Sequence, residues 1–339
     1  MPVTKCPAGE IINYPHQLRW NSMRIFITGM SGFIGSHLAS YLVSEGHEVW
    51  GTYYVKSEVP SLDSVRKKLR LLRCDIRQRK QVEGALRRSR PERIYHLAAQ
   101  SFPTVSWCKP ALTMSTNAGG TINLFESIRA LRLDTRVIVA GSSAIYGYVS
   151  EDDVPVKESH PLLPLHPYGV SKVAQELLAY QYFKNFGIWS ATARIFNTTG
   201  PGKVHDVCAD FASQVARIEA RRQLNPMLVG NLSPRRDITD VRDQVRGLEA
   251  ILEKGRPGEA YNLSSAHSVA IQYVLEKLLS LARGKVEARV DQARLRPTDE
   301  PIIMGDNAKV VRATGWKPSI PISKTLEDSL EHWRVKYRR

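Results

Sequence analysis

Tyr168-Gly169-Val170-Ser171-Lys172 sets a phenol and an ammonium four residues apart. If the stretch is helical, positions i and i+4 lie one above the other on a single face. A free tyrosine titrates near ~10 and a lysine near ~10.4, so neither alone is a useful acid or base at neutral pH. Held together, the lysine charge favours the phenolate, and each unit of depression reflects ~1.4 kcal/mol of differential interaction. The tyrosine can then exchange a proton with a substrate oxygen while the lysine holds a diol or phosphate. A solvated helix face is the plainer reading of that spacing. Ser142 is the third candidate. It follows the apolar run Val137-Ile138-Val139-Ala140, and ligands bind beyond the carboxyl ends of parallel strands. Its hydroxyl can donate to a carbonyl oxygen while Tyr168 transfers a proton; its plainer role is to cap the turn that follows.

Such residues need a scaffold, and the chain supplies strand–helix alternation. The strand Arg24-Ile25-Phe26-Ile27-Thr28 runs into Gly29-Met30-Ser31-Gly32-Phe33-Ile34-Gly35, then into an amphipathic helix over 36–45 and a strand over 48–54. Apolar strands follow near 70–74, 93–98, 136–141, 190–196 and 258–263, separated mostly by helical patterns such as 119–131 and 168–186. This order predicts an α/β fold, a Rossmann-type doubly wound parallel sheet. Residues 1–22 read as an extension, 23–197 as the dinucleotide-binding domain, and 198–339 mainly as a smaller C-terminal substrate-binding lobe. Segments near 236–264 return to the sheet.

Gly29, Gly32 and Gly35 stand between a strand and a helix, as a dinucleotide site requires. The turn wants the first, close approach of the pyrophosphate the second, helix–sheet packing the third. Exposed N–H groups at the helix start meet the diphosphate. The spacing GxxGxxG differs from GxGxxG. An acid at the end of the second strand would bind a ribose 2′-hydroxyl. Here that strand ends Thr52-Tyr53-Tyr54-Val55-Lys56, with no carboxylate before Glu58. The missing acid and Lys56 point to NADP, with NAD the alternative.

Composition excludes other classes. The apolar fraction of 42% and charged fraction of 24% suit a soluble globular protein. No run of 18 apolar residues marks a membrane span, and residues 1–22 lack the apolar core of a signal peptide. The four cysteines show no metal-ligand spacing, so no metal site is expected, and reduced thiols point to the cytoplasm. The net charge is +15, with basic clusters at 66–68, 77–80, 87–88 and 336–339. They read as solvated surface rather than as a nucleic-acid face, which would interleave aromatics.

The glycine triplet, Cys74-Asp75-Ile76, His96-Leu97-Ala98-Ala99-Gln100, Ser142, Tyr168/Lys172 and Arg236-Asp237 together resemble the extended short-chain dehydrogenase/reductases, which are nucleotide-sugar enzymes. The resemblance runs from about residue 23 to 335. It implies that Ser142, Tyr168 and Lys172 form the catalytic set and that Asp75, with Ile76 beside it, meets adenine. It also implies that Phe33, Ile34, Leu97, Ala98 and Ala99 pass the cofactor. Arg194–Gly202, Phe211–Glu219, Asp291–Pro297 and Thr314–Pro318 are most similar to the GDP-sugar branch of 4-keto-6-deoxymannose reductases and mannose 4,6-dehydratases. By that resemblance Ser143, Asn197, Arg236 and Arg296 hold a GDP-linked sugar and Asp299 a nucleoside hydroxyl. Guanidinium forks suit phosphate bidentately. Thr198 stands where the family pattern has histidine. The resemblance also implies a homodimer through helices over 111–131 and 168–186.

Dehydration across C5–C6 needs a base and an acid. Dehydratases of this superfamily carry a glutamate two residues before the Tyr-Gly that follows the catalytic serine or threonine. Here Ser142-Ser143-Ala144-Ile145-Tyr146-Gly147 has Ala144 there. Losing a general base lowers rates by ~10²–10⁴, and Glu151, Asp152 and Asp153 fall in the next loop. Reduction of a C4 ketone by NAD(P)H is the favoured reaction. A 4-epimerase with tightly bound NAD needs the same three residues and is the alternative, ahead of dehydration or a dinucleotide-binding protein without turnover. Cys108 is the one candidate for C3/C5 epimerase chemistry.

Overall fold

The computed structural model describes residues 22–55, 62, 65–295 and 301–338. The extension before residue 22 and the expectations for Lys56, Glu58, Arg296 and Asp299 lie outside the described residues.

The chain begins with β1 (Arg24–Thr28), α1 (Phe33–Ser44), β2 (Glu48–Tyr53) and β3 (Leu69–Arg73). Next come α2 (Arg79–Ser89), β4 (Arg93–His96), α3 (Pro103–Cys108), α4 (Pro110–Met114), a π-helical turn (Ser115–Gly119) and α5 (Gly120–Ala130). Then follow β5 (Arg136–Ala140), α6 (Pro167–Phe186), β6 (Ser190–Ile195), β7 (Asn197–Thr199), α7 (Val207–Glu219), β8 (Met227–Val229) and β9 (Arg235–Asp240). The rest is α8 (Val241–Lys254), β10 (Ala260–Leu263), β11 (Ser268–Ala270), α9 (Ile271–Ser280), β12 (Ala288–Val290), β13 (Ile302–Ile303), α10 (Ala308–Thr314) and α11 (Ile322–Arg338).

The predicted strands make one seven-stranded sheet of order β10-β6-β5-β4-β1-β2-β3. All its pairings are parallel. The central strands β1, β4 and β5 are short and mostly buried on both faces, whereas the edge strand β3 carries the exposed Arg70 and Arg73. In β1, Ile25 and Ile27 face α1 and α8, packing with Leu38, Leu42, Val245 and Leu248. Phe26 faces the other way, onto Val82, Leu86, Leu124 and Phe125 of α2 and α5. Alternation along the strand therefore feeds two cores, and truncating Phe26 to alanine costs about 3–5 kcal/mol. The chain winds outward in opposite directions from β1, so its two neighbours β2 and β4 diverge in sequence. That opens a crevice at the carboxyl ends of β1 and β4, where a doubly wound sheet binds its ligand.

The smaller lobe is built on β9, which pairs with β7, β11 and β13, beside the pair β8–β12. Phe211 and Val215 of α7, Val274 and Leu278 of α9, and Leu326, Leu330 and Trp333 of α11 form its core. One further segment of the expected C-terminal lobe returns to the sheet: Val310 and Trp316 pack into its first core. The Trp316 indole N–H donates to the Asp243 carbonyl of α8 at 3.0 Å, which ties α10 to the dinucleotide side.

Candidate active site

The crevice opens into one cleft of ≈ 2620 Å³ running from the glycine turn to the smaller lobe. Ordinary small-ligand pockets span roughly 300–1,000 Å³, so this cleft has room for two nucleotide-sized molecules. Gly29, Gly32, Phe33, Ile34, Gly35, Asp75, Ile76, Leu97, Ala98 and Ala99 line one part of it. Ser142, Ser143, Tyr168, Lys172, Asn197 and Arg236 line the rest. The fold thus gathers every expected site residue among those described.

The glycine turn fits a dinucleotide. Gly29 has φ +70, and a Cβ there would lie 2.9 Å from the Cα of Ala98, so the turn after β1 can pack against the chain leaving β4 only with glycine at this position. Helix α1 starts at the cleft with no side-chain cap and no acid in its first turn. Its first N–H groups and the positive end of its dipole are left for a diphosphate.

Ser142 leaves β5 in an extended conformation, and its Oγ accepts from the Ala144 N–H at 3.2 Å. It also hydrogen-bonds the Tyr168 hydroxyl. The capping and catalytic readings of this serine are compatible, because capping aims the hydroxyl. Helix α6 begins at Pro167 after His166, whose Nδ1 accepts from the Gly169 N–H at 3.0 Å. A Cβ on Gly169 would meet the Ala144 carbonyl oxygen at 2.6 Å, so this glycine lets α6 press against the serine turn. One turn further, Lys172 is buried and its Nζ donates to the Ala140 carbonyl at 2.8 Å. The ammonium sits 5.7 Å from the centroid of the Tyr168 ring.

The expectation that the lysine draws the phenol down needs correction. Burial pushes the Tyr168 phenol up, opposed by its hydrogen bond to Ser142. Burial also draws the Lys172 ammonium down to about 7. Removing both groups from water penalises each charged form, and that effect outweighs their mutual attraction. A tyrosine that keeps its proton at neutral pH is a proton donor, the state that carbonyl reduction requires.

Beneath the set lies a buried polar network that the spacing did not reveal. The Thr28 hydroxyl oxygen accepts from the N–H groups of Leu97 (3.1 Å) and Ala98 (3.0 Å), so its proton goes to His96 Nδ1 at 2.9 Å. His96 therefore carries its hydrogen on Nε2 and donates to Thr121 Oγ1 at 2.9 Å. Thr121 donates to the Asn117 carbonyl at 2.7 Å and accepts from the Gln175 amide at 2.8 Å. Burial and the Lys172 charge hold His96 down near about 3, so it stays neutral. Asn117, on the π-helical turn, accepts from the Gln100 N–H at 2.8 Å and donates to Ser171 Oγ at 2.8 Å. The strand ends of β1 and β4 are thereby bonded to the helix that carries Tyr168 and Lys172. A histidine in the apolar run of β4 was the one available signal.

At the lobe end, Asn197 Nδ2 donates to the Asp237 carbonyl at 3.2 Å. The buried Asp237 carboxylate accepts from the Ser265 N–H (2.8 Å) and hydroxyl (2.6 Å) and from the Gly305 N–H (3.2 Å). Those bonds bind β9, which carries Arg236, to the loop after β10 and to the segment after β13. Among the described residues, the carboxylates lining the cleft are Asp75 and Asp206, and Asp206 caps α7. Glu151–Asp153 form a short exposed turn and do not line it, nor does the exposed Cys108.

A family model described as GDP-mannose 4,6 dehydratase matches residues 26–329. The chain belongs to this family. It is 32% identical to the GDP-6-deoxy-D-mannose reductase of Pseudomonas aeruginosa, over 94% of this chain and 99% of that protein. It is 26% identical to the GDP-mannose 4,6-dehydratase of Vibrio cholerae, over 93% and 95% of the two chains. The structure of RMD from Pseudomonas aeruginosa complexed with NADPH superposes with a TM-score of 0.81 at 30% identity, covering 93% of this chain and 100% of that one. As a member of the GDP-mannose 4,6-dehydratase family, the protein is an NAD(P)-dependent enzyme of the short-chain dehydrogenase/reductase type.

Proposed function

We propose that the protein reduces the C4 ketone of GDP-4-keto-6-deoxymannose, with NADPH as its cofactor. The observation that carries this reading is the methyl group of Ala144 beside an assembled Ser142–Tyr168–Lys172 set. By family resemblance, dehydratases carry a glutamate at that position, where this chain has the alanine. Among the described residues no carboxylate stands beside the serine turn to take the C5 proton or protonate the C6 hydroxyl. Carbonyl reduction asks for neither.

When bound, NADPH supplies the hydride. Tyr168, which holds its proton at neutral pH, gives it to the C4 oxygen, and the Ser142 hydroxyl donates to the same oxygen as charge builds there. Lys172, anchored on the Ala140 carbonyl, turns its remaining N–H to the cofactor's hydroxyls. Gly29, Gly32, Phe33, Ile34 and Gly35 cradle its diphosphate, while Asp75, Ile76, Leu97, Ala98 and Ala99 flank the adenosine and the inner cleft. Ser143, Asn197 and Arg236 hold the sugar nucleotide, with Arg296 and Asp299 assigned by family resemblance.

The same reading makes the protein a homodimer through the helices over 111–131 and 168–186. Ile122, Val170, Leu177 and Tyr180 are exposed there, and the last three recur on α6 at i, i+7 and i+10. Apolar side chains exposed side by side on one helix face suit an interface. The unpaired Cys74, Cys108 and Cys208 suit a reducing compartment, the cytoplasm.

The deciding experiment incubates the protein with NADPH and GDP-4-keto-6-deoxymannose and identifies the product by NMR. NADPH oxidation matched by a new C4 carbinol is expected. No NADPH oxidation there, with interconversion of the two C4 alcohols of the GDP-6-deoxy sugar in a parallel incubation without added cofactor, would instead establish a 4-epimerase.

A further inference from the structure

The end of β2 carries no acid for a ribose 2′-hydroxyl, and the structure puts a cation at the same corner. Arg77, in the turn between β3 and α2, reaches back across the sheet edge to Tyr54, just past β2. Its NH2 group donates to the Tyr54 hydroxyl at 3.2 Å, and its guanidinium carbon lies 5.6 Å from the Tyr54 ring centroid. The guanidinium is held in place by Asp75. Nε donates to Oδ1 at 2.9 Å and Oδ2 at 3.1 Å, NH2 donates to Oδ2 at 2.7 Å, and the Arg77 backbone N–H donates to Oδ1 at 3.0 Å. Asp75 is positioned in turn by its own N–H, which donates to Gln81 Oε1 at 2.8 Å.

This arrangement leaves one edge of the fork available. The carboxylate and phenol take up Nε and NH2, and NH1 has no partner among the described residues. Tyr54, Asp75 and Arg77 all line the cleft, and the Arg77 side chain is 32% exposed. A guanidinium with a fixed plane and a free edge is suited to a phosphate oxygen, and little side-chain entropy remains to be lost on binding. The Asp75 charge is already matched by Arg77, which holds its carboxyl below the usual range. The surroundings are cationic: residues 65–90 hold eleven Lys or Arg against Asp75 and Glu83.

We propose that Arg77, oriented by Asp75 and Tyr54, is the group that selects the 2′-phosphate of NADP over the 2′-hydroxyl of NAD. The inference rests on the cleft being the cofactor site proposed above.

The test uses ligand fragments and needs no turnover. Calorimetric titrations of the full chain compare adenosine 2′,5′-bisphosphate with adenosine 5′-monophosphate, which lacks the 2′-phosphate. The wild type is expected to bind the bisphosphate at least ten-fold more tightly. Arg77→Ala should weaken the bisphosphate by between ten- and one-hundred-fold, the range of one charge-assisted contact. Its affinity for the monophosphate should stay within about two-fold, and Arg77→Lys should recover part of the preference. A variant that keeps the wild-type preference, or loses both ligands equally, overturns the assignment. A wild type that binds both ligands alike overturns it too, while leaving the cofactor site standing. A wild type that binds neither overturns the site and the assignment together.

Discussion

Replacing Lys172 by methionine should make the cofactor-free protein more stable at pH 6 while abolishing reduction. Lys172 is 3% exposed, and its one hydrogen-bond partner among the described residues is the Ala140 carbonyl. Burial lowers its ammonium to about 7, against ~10.4 in the unfolded chain. Between those values the unfolded state holds the proton and the folded state has released it, so this group's contribution to stability rises with pH. Below pH 7 both states are charged and the full cost of burying the ammonium is present, roughly 4–5 kcal/mol at ~1.4 kcal/mol per unit. Methionine fills a similar volume without charge, and losing the bond to Ala140 removes about 1 kcal/mol. The net gain at pH 6 is roughly 3 kcal/mol. With unfolding entropy of roughly 2.1 cal/mol/K per residue over 339 residues, that is about 4 °C in Tm. Calorimetry of both proteins from pH 6 to 10 reads the effect. The gap should close towards pH 10, where the buried lysine is neutral in the folded state. A variant less stable than wild type at pH 6, or a gap that does not change with pH, would refute the claim that Lys172 is held near neutrality by burial.

Two further outcomes follow from the same geometry. Tyr168→Phe removes the proton donor but leaves the glycine turn and Lys172 in place, so kcat should fall by ~10²–10⁴. NADPH affinity, read by fluorescence titration, should stay within about two-fold; unchanged turnover would end the proposed mechanism. Leu177→Glu with Tyr180→Glu puts two charges on the exposed stripe of α6 and should halve the mass measured by sedimentation equilibrium. A double variant that sediments like the wild type would move the dimer interface elsewhere.

Much of this protein was legible before its structure. The central strands of the main sheet stand out because strands buried on both faces are largely apolar, and Gly29, Gly32 and Gly35 follow the first of them. Tyr168 and Lys172 share a face through nothing more than helical pitch. Ala144 is a methyl group in any fold, so the argument against dehydration needed only its place relative to Ser142. These features depend on local periodicity or on the identity of one residue.

What spacing could not reveal depends on residues far apart in the chain. Whether Tyr168 holds its proton depends on how much water β5, α6 and the serine turn exclude around it, and the sequence alone suggested the opposite direction. The tautomer of His96 is set by Thr28 and Thr121, 68 and 25 residues away. Segment 308–316 joins the sheet core because Trp316 finds its partner on α8, which only packing could decide. Arg77 is two residues from Asp75, but its direction depends on Tyr54, brought alongside by the pairing of β2 with β3. The linear chain thus determined which chemical groups are present and which strands and helices carry them. Burial and long-range hydrogen bonding, properties of the assembled fold, decided their protonation and orientation.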